Sequence, residues 1–270
     1  RGEIPLRYED IYLGLEIEME DILNTNRTTL PPSFSFVADG SLKVNGIEAV
    51  TVPIKLKFLE QELKRLFSAL NPVFSHRTSV HVHMNASDLT LEELVKFIIL
   101  YLLFEKSMYK FSGNRWNNNY CIPLYQNMDY VISLFSKIRT NQNPPYSWSK
   151  YTGINLCPLW GVEDTSDRIG TIEFRQMGGT KDINKIITWC NLITCLKFSA
   201  KQIGIEELLT IITNKNIYEL RGFVGDIFKS WLKDIGSYYS FGSDFDLCLS
   251  QVRYILFQSG YLTIDNKQPT

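Results

Sequence analysis

The residues of this chain best suited to chemistry lie in short alternating segments. Thr171-Ile172-Glu173-Phe174-Arg175 sets a carboxylate and a guanidinium two positions apart, with apolar residues before and between them. On a β-strand, residues i and i+2 face the same way. Glu173 and Arg175 then share a face with Thr171, while Ile172 and Phe174 point to a core. The same grammar recurs upstream. Gly14-Leu15-Glu16-Ile17-Glu18-Met19-Glu20 puts three carboxylates on one face, Asp39-Gly40-Ser41 leads to Glu48-Ala49-Val50, and Ser79-Val80-His81-Val82-His83-Met84-Asn85 puts two imidazoles and an amide on one face. Together the four segments describe a sheet with one dry face and one face built for a charged, metal-dependent ligand.

Each segment has a plainer reading beside the sharp one. Glu16 and Glu18 repel one another unless a cation or an arginine sits between them, and oxygen-rich sites with one imidazole favour Mg²⁺ or Mn²⁺; alternatively they form a solvated acidic strand face. His81 and His83 match zinc ligation or a histidine pair without a metal. Glu173 and Arg175 read as a structural ion pair or, because i and i+2 side chains splay apart, as separate contacts to a metal and a phosphate. Arg115, in Asn114-Arg115-Trp116-Asn117, closes over an anion or sits in solvent. The conjunction of all four segments favours the functional reading. No Walker A loop, GxGxxG or GxSxG is present, so P-loop, Rossmann and α/β-hydrolase chemistry is not indicated.

The elements that must position these groups follow from periodicity. Strands are expected over Tyr12 to Glu20, Phe34 to Ala38, Ile47 to Ile54, Thr78 to Asn85, Tyr151 to Leu156 and Gly170 to Gln176. A loop is expected from Asn24 to Pro32, and an acidic loop with Glu163, Asp164, Asp167 and Arg168 before the last strand. Helices are expected over Leu56 to Leu70, Ser87 to Phe111 (opened by a capping-box pattern at Thr90-Leu91-Glu92-Glu93) and Tyr125 to Arg139. From Asp182 to about Gln258 the pattern is helical in pieces broken near Gly204, Asn214 and Gly236, and the tail from Asp265 is expected to fray. Strands early and helices late indicate an α+β fold, a mostly antiparallel sheet with helices on one face, in a single domain over 1–270 with a sheet-rich core at about 12–180 and a helical part at about 181–260.

A net charge of −1 gives no broad footprint for nucleic acid. Five cysteines without a CxxC pair point to free thiols in a reducing compartment. The longest apolar run, Phe97 to Phe104, is too short to span a bilayer, and the chain opens at Arg1 without a signal-peptide pattern, as a trimmed start would. The expectation is a cytoplasmic protein without membrane or nucleic-acid partners. Nothing in the sequence fixes an oligomeric state.

Gly-Leu-Glu-Ile-Glu at 14–18, Asp-Gly-Ser-Leu at 39–42 followed by Glu48, His-Val-His at 81–83, Asn-Arg…Tyr-Cys at 114–121 and Thr-Ile-Glu-Phe-Arg at 171–175 come in the order of the amidoligase family, which the chain resembles over roughly residues 12 to 195. That family belongs to the carboxylate–amine ligases related to glutamine synthetase and glutamate–cysteine ligase. The resemblance implies a glutamine synthetase-like catalytic sheet and an ATP-dependent ligase using Mg²⁺ or Mn²⁺, joining a carboxylate to an amine through an acyl phosphate. By the same resemblance Glu16, Glu18, Glu48, His81 and Glu173 are the metal ligands. Arg175 faces the transferred phosphate, Arg115 contacts substrate or phosphate from its loop, and His83 and Asn85 join Arg175 as nucleotide contacts. The chain departs from the family pattern at Ser79-Val80, where a glycine often precedes the HxH. A bacterial or phage source is implied by resemblance alone. The alternatives are a non-catalytic binding or structural member, and a zinc-dependent hydrolase built on His81, His83 and a glutamate.

Overall fold

The structure, a computed structural model, describes residues 10–20, 31–42, 46–113, 115–144, 148–161, 168–213 and 243–263. Its sheet has seven strands: β1 (Tyr12–Met19), β2 (Phe34–Val37), β3 (Ile47–Thr51), β4 (Ile54–Lys55), β5 (Ser79–Asn85), β6 (Ile154–Asn155) and β7 (Thr171–Gly178). Their order is β2-β3-β1-β5-β7-β6, with β4 continuing along β1 beside β3, and every strand pairing is antiparallel. The outermost strands β2 and β6 are short, which limits the unpaired edge offered to another chain.

Alternation makes one face dry. Leu13, Leu15 and Ile17 of β1, Val80, Val82 and Met84 of β5, and Ile172 and Phe174 of β7 are buried there. Helices α2 (Leu91–Phe111) and α5 (Ile183–Gln202) cover this face. The Phe174 ring meets Phe97 of α2 and Trp189 of α5 edge-on, at centroid separations of 6.0 and 6.4 Å. α2 is buried nearly all round because α3 (Met128–Arg139) and α7 (Ser243–Gln258) pack on its far side, where Asp244 of α7 pairs with Lys106 and Lys110. α1 (Leu56–Ala69) packs on α5 through its Leu59, Leu63 and Leu66 stripe, and α6 (Ile205–Thr213) lies beside α2 and α7. One connected apolar cluster links sheet and helices. The architecture is the expected α+β arrangement.

The departures from the expected elements have local causes. Ile47 to Ile54 is two strands, broken at Val52-Pro53, since proline has no N–H for the ladder. The long helix starts at Leu91, where the Thr90 hydroxyl accepts from the Glu93 amide and the Glu93 carboxylate accepts from the Thr90 amide. The next helix begins as a 3₁₀ turn, Leu124–Asn127, whose first amides donate to the buried Glu105. Of Tyr151 to Leu156 only Ile154–Asn155 is a strand of the sheet; before it Thr152 forms an isolated parallel bridge with Ile122, and its hydroxyl donates to the Ser149 and Ile154 carbonyls. A short helix α4 (Cys157–Trp160), unread in the sequence, follows. Residues 24–30 of the expected loop, Asn114, the acids Glu163, Asp164 and Asp167, residues 214–242 of the part expected to be helical and the tail from 264 lie outside the described residues.

β7 carries a bulge that shapes the site. Val80 pairs with Met177 and Val82 with Phe174, so Arg175 and Gln176 together oppose His81. Arg175 keeps the polar face, while Gln176 turns into the core and donates to the Tyr101 hydroxyl. Gly153 crosses close behind: a Cβ there would stand 2.4 Å from the Tyr109 hydroxyl oxygen, so only glycine fits.

Candidate functional site

Register assembles the polar face. Glu18 of β1 lies opposite Glu48 of β3, Glu16 opposite His81 of β5, and His83 opposite Glu173 of β7, which in turn faces Asn155 of β6. Directly opposed residues in antiparallel strands share a face. Four segments distant in sequence therefore place their acids and imidazoles on one surface.

The contacts are dense. Glu16 bridges both imidazoles: its Oε2 lies 3.1 Å from His81 Nδ1 and its Oε1 3.0 Å from His83 Nε2. His83 Nδ1 lies 3.0 Å from the Thr171 hydroxyl. His81 Nδ1 also lies 3.3 Å from Glu173 Oε1, and its Nε2 lies 2.8 Å from the Ser79 hydroxyl, which donates to Glu18 Oε2 at 2.5 Å. Glu173 accepts from Asn155 Nδ2 at 2.6 Å through Oε2 and pairs with Arg175 Nη1 through Oε1. Arg175 is steadied by a second bond, from its Nε to the Tyr120 carbonyl at 3.2 Å.

This concentration of charge perturbs its members. Burial alone would raise the Glu16 carboxyl, but its contacts with His83 and His81 carry it far below the ordinary carboxylate range. Burial would lower His83, but hydrogen bonding and charge from Glu16, with Glu173 behind it, raise it overall. Burial pushes Glu48 up to about 7, reinforced by repulsion from Glu16, Glu18, Asp39 and Glu173. Without a cation, the carboxylate excess on this face is therefore partly uncompensated.

A cation fits the face. One donor atom from each of Glu16, His83 and Glu173 lies within 4.8 Å of the other two, a span that a single divalent ion can bridge with oxygen and imidazole ligands. Glu18 and Glu48, side by side, offer further carboxylate oxygens. The compact group takes its imidazole from His83, whereas the sequence reading named His81 as the ligand. A cavity of about 740 Å³ opens beside it, lined by Glu18, Asp39 and His81 together with the cations Arg77, Lys150 and Arg175.

The remaining candidates are placed differently. Asn85 shares the face, but its Oδ1 accepts from the amide and hydroxyl of Ser87, closing a turn at the strand end. Arg115 lines the cavity, yet its Nη1 donates to the carbonyls of Arg175 and Met177 at 3.2 and 3.1 Å, across the β7 bulge. Three contributors were not singled out from the sequence. Ser79 lies two residues before His81 and was open to the alternation rule. Asn155, the polar residue between Ile154 and Leu156, was legible in the same way. The Tyr120 carbonyl is a backbone group and had no side-chain signal.

A family model described as "Putative amidoligase enzyme" matches residues 22–197. The match contains Glu48, His81, His83, Arg115, Glu173 and Arg175 and begins just after β1, which carries Glu16 and Glu18. Among solved structures, the chain is similar to one titled "Crystal structure of novel glutamine synthase homolog", at 11% sequence identity and a TM-score of 0.36, over 90% of this chain and 70% of that one. No curated protein matches.

Proposed function

This chain belongs to the amidoligase family, and on that premise we propose that it is an ATP-dependent carboxylate–amine ligase. The carboxylate of one substrate takes the γ-phosphoryl group of ATP, and the amine of the other displaces phosphate from the acyl phosphate to leave an amide or isopeptide bond. The observation that carries the reading is the donor triangle of Glu16, His83 and Glu173 beside a cavity walled by both acids and cations. Residues 1–270 are taken as a single catalytic domain, in line with the one apolar cluster of the described residues. Among those residues no helix is long and apolar enough to cross a membrane, and an ATP-consuming reaction fits the cytoplasm.

Glu16, His83 and Glu173 would hold one Mg²⁺ or Mn²⁺, and Glu18 and Glu48 would contribute to a second site at their end of the face. Bound there, the cation supplies charge neutralisation for a triphosphate. Asn155 and Thr171 orient Glu173 and His83 from behind. Arg175 stays aimed through its bond to Tyr120 when Glu173 turns to another partner. Its Nη1 is then available to an anion, and it stabilises charge on the transferred phosphoryl group. His81, held by Ser79 and Glu16, keeps the two acid clusters in register.

Calorimetry with Mg²⁺ and ATP tests the reading, on the native chain and on Glu16→Gln, Glu173→Gln and Arg175→Ala. Binding that requires Mg²⁺ and weakens at least tenfold in folded variants is the expected result. Folded native protein without nucleotide affinity, with or without Mg²⁺, refutes it. A stoichiometric zinc in such a sample points to a hydrolase, and no metal at all to a binding role.

A further inference from the structure

Arg175 is held on the polar face by backbone partners: its Nε donates to the Tyr120 carbonyl, and its amide donates to the Gly153 carbonyl at 2.9 Å. Arg115, which lines the first cavity and a second one of about 540 Å³, takes the carbonyls of Arg175 and Met177. Behind the sheet lies a charged group that the chemistry of the face does not use. Glu105 of α2 is 1% exposed, and among the described residues no cation pairs with it. Its partners are neutral donors: the amides of Leu124 and Tyr125, at 2.6 and 3.2 Å, and the Tyr101 hydroxyl.

Tyr101, Glu105 and Tyr109 stand four residues apart on one face of α2. Through them the helix reaches both backbone partners of Arg175 and its neighbour Gln176. Tyr109 donates to the Cys121 carbonyl, next to Tyr120, and Glu105 fixes Leu124 and Tyr125 at the other end of that segment. Between these ends the Ile122 amide donates to the Tyr151 carbonyl at 2.6 Å, and the Ile122 carbonyl accepts from Gly153 at 2.8 Å. Residues 120–125 therefore also carry the segment that supplies the Gly153 carbonyl. On β7 itself, Gln176 donates to the Tyr101 hydroxyl. A carboxylate buried without a cation weakens a fold; what Glu105 adds is direction. As an ion it only accepts, so Leu124, Tyr125 and Tyr101 all donate to it, and the Tyr101 oxygen is left to accept from Gln176. Protonated, it must itself donate, and one of those bonds gives way. Gln176 Oε1, a buried acceptor without a partner, can then take the Tyr101 proton once its amide rotates.

We propose that Glu105 is a positioning residue for Arg175: acting through residues 120–125 and through Tyr101 and Gln176, its carboxylate sets where the Arg175 guanidinium stands in the wall of the first cavity. Only the part that this guanidinium plays in phosphoryl transfer rests on the ligase reading above. Burial pushes the Glu105 carboxyl up to about 7, against the opposing pull of the Leu124 and Tyr125 amides and of Tyr101, so the position of Arg175 is expected to change with pH. The titratable groups that face Glu105 are Tyr101 and Tyr109 of its own helix and Cys248 of α7, all raised by burial and neutral near pH 7. The turn before α3 meets it with two amides, and β7 reaches it through Gln176 and Tyr101.

The test follows the Arg175 Nε–H signal of the full chain by NMR, with chelator and without nucleotide. Its protection from solvent exchange, relative to free arginine at the same pH, is expected to fall about tenfold in native protein between pH 8.5 and pH 5.5, as the loss of one hydrogen bond would give. Glu105→Gln keeps the shape and removes the charge; its protection is expected to be low and flat over that range. Tyr101→Phe cuts only the arm through Gln176 and is expected to lose about threefold at pH 8.5. A pH step that survives in Glu105→Gln belongs to the carboxylates of the polar face and overturns the proposal. So does a Glu105→Gln chain that melts earlier yet keeps Arg175 protected, which is the mark of a purely structural residue. Mg²⁺·ATP binding measured on the same samples separates the two readings. Binding that weakens in step with the lost protection supports both. Protection lost in Glu105→Gln, in a protein whose native form has no nucleotide affinity, keeps the positioning residue and removes the ligase reading.

Discussion

Glu48→Gln separates what a metal site needs from what a fold needs. Its carboxyl stands at about 7 against an ordinary value of 4.5, because burial and the charges of Glu16, Glu18, Asp39 and Glu173 disfavour its ionised form. A group raised on folding contributes its full stability below the unfolded value and loses it as pH climbs through the folded value. Glu48 should therefore cost nothing at pH 4.5 and most above pH 7. That rise corresponds to about 3 kcal/mol, and since Glu48 is only half-buried, solvent screening leaves about 1.5 kcal/mol. Glutamine keeps the shape and removes the charge. In urea titrations with chelator present, Glu48→Gln is expected to be about 1.5 kcal/mol more stable than the native chain at pH 8, and within about 0.5 kcal/mol of it at pH 5. Saturating Mg²⁺ should narrow that difference at pH 8, because the first site is kept in both chains while the second site, to which Glu48 would contribute, stabilises only the native one by mass action. A Glu48→Gln variant no more stable than native at pH 8, or equally stabilised at both pH values, would refute the idea that carboxylate repulsion is stored on this face.

Asn155→Ala removes the 2.6 Å bond to Glu173 Oε2 and should weaken Mg²⁺ binding about tenfold in calorimetry, with the fold intact by circular dichroism. Thr90→Ala removes the capping box of α2 and should cost about 1 kcal/mol in the same urea titrations, with Mg²⁺ affinity unchanged. Phe174→Ala empties the contact with Phe97 and Trp189 behind Glu173 and Arg175. It should cost about 3–5 kcal/mol and, unlike Thr90→Ala, also weaken Mg²⁺ binding.

The membership of the polar face was legible from two-residue spacing alone. Glu16 with Glu18, His81 with His83, and Glu173 with Arg175 each share a face because their strands are regular and their intervening residues apolar. Partnership was not legible. Glu16 meets both imidazoles, His81 also reaches Glu173, and His83 joins Glu16 and Glu173 in the donor triangle, because strand register and side-chain direction across β1, β5 and β7 decide these meetings. Spacing within one strand carries no information about that.

The β7 bulge is the sharper case, since it bears on Arg115 as well. Strict alternation places Met177 on the face of Arg175. The extra residue opposite His81 leaves Gln176 on the core side, brings Met177 there as well and interrupts the ladder at this point. Arg115, read from the sequence as a loop arginine for an anion or for solvent, first meets that backbone requirement: its Nη1 takes the Arg175 and Met177 carbonyls. The same two bonds fix its plane at the wall between the two cavities. The guanidinium that satisfies the bulged backbone thus also stands in the lining of both cavities, so one local irregularity in β7 supports the Arg175 segment and sets where a cation is placed.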